Sequence, residues 1–111
     1  MKKKIYIASA YTKGDVAKNV KRQIDMTEEL YRLGFNVYAP CVATHFQHMV
    51  HPRDYNFWLS LDYEWIESCD ALLRLKGPSE GADMEVEFAE TRNIPVFYNS
   101  ADLKEYFREK I

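Results

Sequence analysis

Long apolar runs are missing from this 111-residue chain. None approaches the ~20 residues that a helix needs to cross a bilayer, which excludes a helical membrane protein. Cysteine is scarce too: Cys41 and Cys69 stand without a CxxC spacing, and no signal-peptide pattern precedes the first apolar run, so the expected setting is a reducing cytoplasm. Neither sign of charge dominates. Fifteen Lys and Arg face seventeen Asp and Glu for a net charge of -2, a balance that argues against binding to duplex nucleic acid or to an anionic membrane surface. Glycine and proline number four each and fall between periodic segments, so there is no linker, repeat or low-complexity tract to divide the chain. Neither GxGxxG nor a Walker A motif occurs, which removes the dinucleotide and triphosphate sites of those kinds.

What is present is enough for one compact unit. Hydrophobic residues make up 47% and aromatics 14%, a composition able to build a core, and the length is that of a single domain, residues 1–111. The near-zero net charge hides a segregation. Residues 1–22 hold seven Lys or Arg against one acid, whereas residues 62–90 hold nine acids against Arg74 and Lys76.

The periodicity alternates between strand and helix. Lys4 to Ala8 (KIYIA) reads as a strand, and a polar loop, Ser9 to Asp15, leads to apolar residues at three- and four-residue spacing: Val16, Val20, Ile24, Thr27, Leu30 and Tyr31. Gly34 is the expected C-terminal cap of that helix. Phe35 to Ala39 is a second strand ended by Pro40, followed by a histidine-bearing loop and a helical stripe of Tyr55, Trp58, Leu59, Asp62, Trp65, Ile66 and Cys69. Ala71 to Leu75 is a third strand, Lys76 to Gly81 a turn-rich loop, and Ala82, Glu85, Val86 and Ala89 mark the inner face of a third helix. Ile94 to Tyr98 is a fourth strand, and Asn99 with Asp102 resembles a capping box opening a last helix over Ala101 to Lys110. Such alternation predicts an α/β fold, a doubly wound parallel sheet of about four strands with helices on both faces. In the common 2-1-3-4 order, ligands bind beyond the carboxyl ends of strands one and three, so the Ser9 to Asp15 and Lys76 to Gly81 loops should face each other.

Two carboxylates interrupt apolar helix stripes, Asp62 and Glu85. An unpaired buried charge costs several kcal/mol or shifts its pKa instead, so a cleft explains the pair better than a core does. The competing reading has both solvated or paired with basic residues. Gly81 after Ser79 at the start of the third helix offers backbone N–H groups and a positive helix end suited to an anion such as a phosphate, although Glu80 and Asp83 can use the same dipole. Ser9, Tyr11, Thr12 and Lys13 in the first loop supply hydroxyls and one ammonium, which suit a monophosphate or a sugar. Cys41, His45, His48 and His51 are the metal alternative, but their spacing matches no tetrahedral motif. A loop whose histidines cover a substrate, or simply lie on the surface, is the stronger expectation, with Phe46, Tyr55, Phe57 and Trp58 available either to stack on a planar base or to pack the core.

Three segments, IYIASAYTKGD, SLDYEWIESCDALLRL and GPSEGADMEVEFAETRNIPVF, in that order, resemble the nucleoside 2-deoxyribosyltransferase-like superfamily, including its nucleotide N-glycosidase members and short bacterial and phage members. The match runs from about Ile5 to Tyr98. The resemblance implies a flavodoxin-like fold and a metal-free, cofactor-free enzyme that cleaves or exchanges the N-glycosidic bond of a (deoxy)nucleoside 5′-monophosphate. It places Glu85 as the nucleophile that forms a glycosyl-enzyme ester, Tyr6 as the residue orienting it, and Asp62 as the acid that protonates the departing base. Ser79 falls where nucleotide-acting members place a phosphate-binding serine, Ser9 matches a small polar position of the first loop, and Lys13 stands in for a cation. A homodimer or higher homo-oligomer is also implied. Two departures stand out: Glu87 occupies a position usually held by glycine, and the chain is short for the family, so a fifth strand is expected to be missing. The rival from another class is a non-catalytic nucleotide-binding or regulatory module on the same scaffold.

Overall fold

The computed structural model describes residues 1–108. Strand β1 (Lys4–Ala8) leads into helix α1 (Val16–Arg32), β2 (Asn36–Tyr38), two short helices α2 (Pro40–Ala43) and α3 (His45–Val50), and α4 (Tyr55–Glu67). Then come β3 (Ala71–Arg74), α5 (Glu80–Thr91), β4 (Val96–Phe97) and α6 (Ser100–Arg108). The strands form one parallel sheet in the order β2-β1-β3-β4, the order expected from the alternation of elements. Parallel strands require a crossover, and each crossover here carries a helix.

Strand periodicity divides the core into two layers. On one face Ile5, Ile7, Ala71 and Leu73 pack with Leu30 of α1 and with Leu103 and Phe107 of α6. On the other, Tyr6, Ala8 and Leu72 pack with Ile66 of α4 and with Ala82 and Ala89 of α5. Alternation along β1 thus sends Tyr6 to the α4/α5 side. Leu75 extends the β1–β3 pairing by donating its N–H to the carbonyl of Ala8 at 2.9 Å, so the loops that follow β1 and β3 emerge side by side.

The caps explain where the helices stop and start. Asp15, Asp54 and Ser79 each accept a backbone N–H from the first turn of α1, α4 and α5, which satisfies donors that a helix start leaves unpaired. Asn99 accepts the N–H of Asp102 at 2.8 Å and donates to its carboxylate at 2.9 Å. At the end of α1, Gly34 adopts φ 92°, its N–H meets the carbonyl of Tyr31 at 3.0 Å and that of Phe35 meets Leu30 at 3.0 Å. These are the two bonds of a Schellman motif, and the positive φ is why glycine stands there.

Four expectations need correction. The inner face of α1 is not the Val16-Val20-Ile24-Thr27-Leu30-Tyr31 stripe: Ile24 and Tyr31 are exposed, and Asn19, Gln23 and Leu30 are the buried residues. With Met26 and Leu33 packed against the core, the true face runs at four- and three-residue steps through two amides, which an apolar stripe does not reveal. The histidine-bearing loop is largely helical, because Pro40 fits the first turn of α2 and α3 follows it with no buried residue of its own. β2 and β4 are shorter than Phe35 to Ala39 and Ile94 to Tyr98, as befits edge strands paired on one side only. The last helix starts at Ser100, one residue early, and Lys110, its expected end, lies outside the described residues.

Leu73, fully buried between β1 and the α1/α6 layer, should cost about 2–5 kcal/mol on substitution by Ala. Gly34→Ala, with nothing within 4 Å of the added carbon, should cost only about 1 kcal/mol, through backbone conformation alone. Urea denaturation of the two variants checks both, and equal losses would contradict this account.

Candidate active site

The site grows from the register of β1. Because Tyr6 points to the α4/α5 side from a central strand, its hydroxyl arrives under α5, where it donates to Glu85 Oε2 at 3.0 Å. Glu85 sits on the inner stripe of α5 between Ala82 and Ala89 and is only 6% exposed. Asp62, on the facing stripe of α4 one turn before Ile66, is close enough to Glu85 and Tyr6 for the three to influence one another's ionisation. The three residues proposed from the sequence as catalytic therefore come together from three elements, β1, α4 and α5.

Burial governs the electrostatics. Glu85 is pushed well above the usual carboxyl range, first by desolvation, then by its hydrogen bond to Asp62 and the Asp62 charge, against which the Tyr6 hydroxyl and the Arg74 guanidinium pull down. Asp62 is also raised by burial, with the hydrogen bonds to Glu85 and Tyr6 opposing. Two adjacent carboxyls in a dry place do not ionise together readily, so the pair retains a proton where isolated carboxyls have lost theirs. Glu85, the deeper member, holds it more strongly. Tyr6 is raised well above its ordinary value by burial and then by Glu85 and Asp62, which keeps it a neutral donor.

Residues not singled out in the sequence as partners of this pair surround it. Cys41, at the start of α2, is 5% exposed; burial and then the charges of Glu85 and Asp62 push its thiol up to about 12. A thiol held neutral is a poor nucleophile. Tyr38 of β2 is raised to about 12 by burial and then Asp62, and it stacks on Trp65 at 4.3 Å. Arg74 ends β3 nearly buried, donating to the carbonyls of Leu75 and Gly77 and to Asp83. It thereby ties the β3–α5 loop to α5 and puts a positive charge behind Glu85. Its one legible signal was a lone arginine inside an otherwise apolar strand.

The predicted binding residues are more dispersed. Ser9, half-buried, accepts from Gln23 Nε2 at 2.9 Å and lies near Cys41, whose thiol donates to the Ala10 carbonyl at 3.9 Å. Ser79 uses its oxygen as the N-cap of α5, accepting the Ala82 N–H at 3.1 Å, so one of its lone pairs is committed and its proton and second lone pair remain for another partner. Gly81 lies under the Tyr55 hydroxyl, which an added Cβ would meet at 3.1 Å. Tyr11 shares a hydrogen bond of 2.8 Å with His45 Nδ1, while Lys13 is exposed at the loop tip and contributes its carbonyl to Asn19 at 2.8 Å. The metal alternative fails on geometry: among the described residues no three His, Cys, Asp or Glu side chains gather to hold an ion. His45 and His48 are instead engaged with aromatic rings, His48 lying on Trp58 at 3.9 Å and near Tyr11 at 4.7 Å. Glu87 is exposed, away from the pair.

Comparison with known proteins agrees with this geometry at the level of fold. A family model described as "Domain of unknown function (DUF7768)" matches residues 3–99. No curated protein matches the sequence. Among solved structures, a 2-deoxyribosyltransferase from the psychrotolerant bacterium Bacillus psychrosaccharolyticus superimposes with a TM-score of 0.61 at 20% identity, covering 84% of this chain and 69% of its own. A conserved protein from Enterococcus faecalis V583 superimposes with a TM-score of 0.68 at 21% identity over 86% of this chain, which spans 62% of that protein's length. The chain has the flavodoxin-like fold of a 2-deoxyribosyltransferase.

The raised carboxyl carries a stability consequence. Where the folded pKa exceeds the unfolded one, the folded protein holds a proton that the unfolded chain has released. The contribution is complete below about pH 4 and is lost as pH rises through the folded value. Glu85→Gln cannot ionise, and its amide can both accept from Tyr6 and donate to Asp62. The variant should therefore melt higher than the unmodified protein by about 4 °C or more at pH 8, with the gap closing toward pH 4. Thermal melts across that range check it, and a gap that does not grow with pH would exclude a raised Glu85.

Proposed function

The chain belongs to the DUF7768 family, a domain of unknown function, and from its site and fold we propose that it is an enzyme acting on the N-glycosidic bond of a (deoxy)nucleoside 5′-monophosphate. The observation that carries the reading is the Tyr6 hydroxyl bonded at 3.0 Å to Glu85, buried beside Asp62. The fold shared with a 2-deoxyribosyltransferase supports it.

In this reading Glu85 and Asp62 divide two tasks. A Glu85 carboxylate oxygen attacks the anomeric carbon and forms a C–O ester bond, while the C–N bond breaks and its electron pair leaves with the base. Asp62 delivers a proton to the departing nitrogen, which a nucleobase needs because it is a poor leaving anion. Water, or the nitrogen of a second base, then attacks the same carbon, gives its proton back to Asp62 and frees the Glu85 carboxylate. The first outcome is hydrolysis and the second base exchange. The division follows the retaining-glycosidase logic applied to a C–N bond.

The single proton of the pair suits this cycle. Glu85 must be the anion and Asp62 the acid, so the proton passes from the deeper carboxyl to the shallower one. Tyr6 favours that transfer by donating to the ionised form of Glu85. Activity should accordingly follow a bell-shaped pH profile, falling on the acid side as both carboxyls protonate and on the alkaline side as the shared proton is lost. Ser9, Ser79, Tyr11, Lys13 and Gly81 are the proposed contacts of the sugar and phosphate, at the loops after β1 and β3. The protein acts as a homo-oligomer in the cytoplasm on this reading and uses neither metal nor cofactor.

The test is incubation with a panel of ribo- and deoxyribonucleoside monophosphates, with free base followed by chromatography. Glu85→Gln should lower the rate at least ~1000-fold and Asp62→Asn about 100-fold or more. Base released equally fast by Glu85→Gln would rule out the ester, and tight nucleotide binding without release from any substrate would favour the binding-module reading.

A further inference from the structure

An unpaired amide inside a core costs about 1–3 kcal/mol, yet α1 turns two amides inward, Asn19 and Gln23, one turn apart. Both are spent on the loop after β1. Asn19 Nδ2 donates to the carbonyls of Tyr11 at 3.0 Å and Lys13 at 2.8 Å. Gln23, with no exposed surface at all, donates from Nε2 to the Ile7 carbonyl at 3.3 Å and to Ser9 Oγ at 2.9 Å, and its Oε1 accepts the Cys41 N–H at 3.1 Å.

The two backbone groups decide which way the Gln23 amide points. The Cys41 N–H can be met only by the amide oxygen, and the Ile7 carbonyl only by the amino group. A reversed amide would set donor against donor and acceptor against acceptor. Ser9 therefore receives the second proton of the amino group. A hydroxyl has one proton and two lone pairs, so with one lone pair committed to Gln23 its own proton is left to donate. The neighbour on that side is the Cys41 thiol, which feels the charges of Glu85 and Asp62. Ser9 opens the loop after β1, which emerges beside the loop after β3 at the carboxyl end of the sheet, and its polarity is imposed from behind.

We propose that Gln23 is a positioning residue that holds the Ser9 hydroxyl as a donor toward the cleft, where it meets an oxygen acceptor on the sugar phosphate of the substrate. The inference rests on the proposed function and adds to it a residue outside the cleft that selects for an acceptor at this point. Gln23→Glu offers at most one proton where the amino group offers two: whether ionised or, as its burial favours, protonated toward the Ile7 carbonyl, it leaves an oxygen facing Ser9, and the hydroxyl turns its proton to that oxygen and away from the ligand.

The test compares the unmodified protein with Ser9→Ala, Gln23→Glu and the double variant, reading the affinity for 2-deoxyribose 5-phosphate by calorimetry and KM and kcat for base release. Each single variant should weaken sugar phosphate binding about tenfold and raise KM to match, with kcat changed less than about threefold. The double variant should be no weaker than either single one, because both remove the same bond. Additive losses, or a fall in kcat at constant KM, would overturn the inference. Should Gln23→Glu not fold, Ser9→Thr serves instead: it keeps the hydroxyl and should bind within about threefold of the unmodified protein, against the tenfold loss in Ser9→Ala. Ser9→Ala should also speed exchange of one Gln23 side-chain amide proton in nuclear magnetic resonance spectra. Affinity equal in Ser9→Ala and the unmodified protein sinks the Gln23 role alone. An unmodified protein that neither binds the sugar phosphate nor releases base sinks the function reading, and this inference with it.

Discussion

A carboxyl group that the fold refuses to solvate is the constraint around which this molecule is arranged. Glu85 is carried by α5 onto the face of a parallel sheet, 6% exposed, where its charge would be expensive. The Tyr6 hydroxyl, the Asp62 carboxyl and the Arg74 guanidinium are what the structure sets against that cost. Each comes from a different element, so the packing of α4 and α5 on β1 and β3 is also the assembly of the site. In the reaction we propose, the burial that destabilises the ionised form of Glu85 is what makes one carboxylate reactive and lets the second hold a proton.

The surroundings of the pair are built to stay neutral and fixed. Cys41 and Tyr38 are both held up to about 12 and so present an S–H and an O–H instead of further charge. Arg74 gives its donors to the carbonyls of the β3–α5 loop and to Asp83, which shapes the loop and leaves a cation near Glu85. Asn19 and Gln23 do for the loop after β1 what Arg74 does for the loop after β3. Both loops at the point where strand order reverses are thus held by buried polar side chains reaching from helix or strand, which spares them the disorder usual for connections. The α2–α3 segment differs: α3 has no buried residue and leans on the rest through rings, with Tyr11, His48 and Trp58 in a row.

Much of this was legible in the chain because period and chemistry agreed. Strand-helix alternation set the sheet, and Asp62 and Glu85 stood out because each interrupted an apolar stripe that was otherwise in phase. The α1 face was misread for the converse reason. Its inward positions are occupied by Asn19 and Gln23, whose burial is made tolerable by partners far away in sequence, so a hydropathy pattern assigned them to solvent and turned Ile24 and Tyr31 inward. Ser79 was legible as a polar residue at a helix start, but its commitment to the Ala82 N–H depends on the backbone it caps. The histidines read from the sequence as a covering or surface loop, with a metal as the alternative; which rings they rest against was visible only in the fold.

By itself the sequence determined the alternation of four strands with the longer helices, the class of sheet, the Gly34 and Asn99 caps, and which two carboxylates stand on inward stripes, because all of these follow from local spacing. Only the tertiary structure decided that Tyr6 meets Glu85 across 79 residues, that Cys41 feels the charges of the pair, and that a glutamine on α1 bonds both the Ser9 hydroxyl and the Cys41 N–H. Hydrogen-bond polarity and pKa depend on distances of about 3 Å between groups that only the closed sheet brings together. No periodicity along the chain encodes such distances, and so the residue types were readable before the fold while their partners were not.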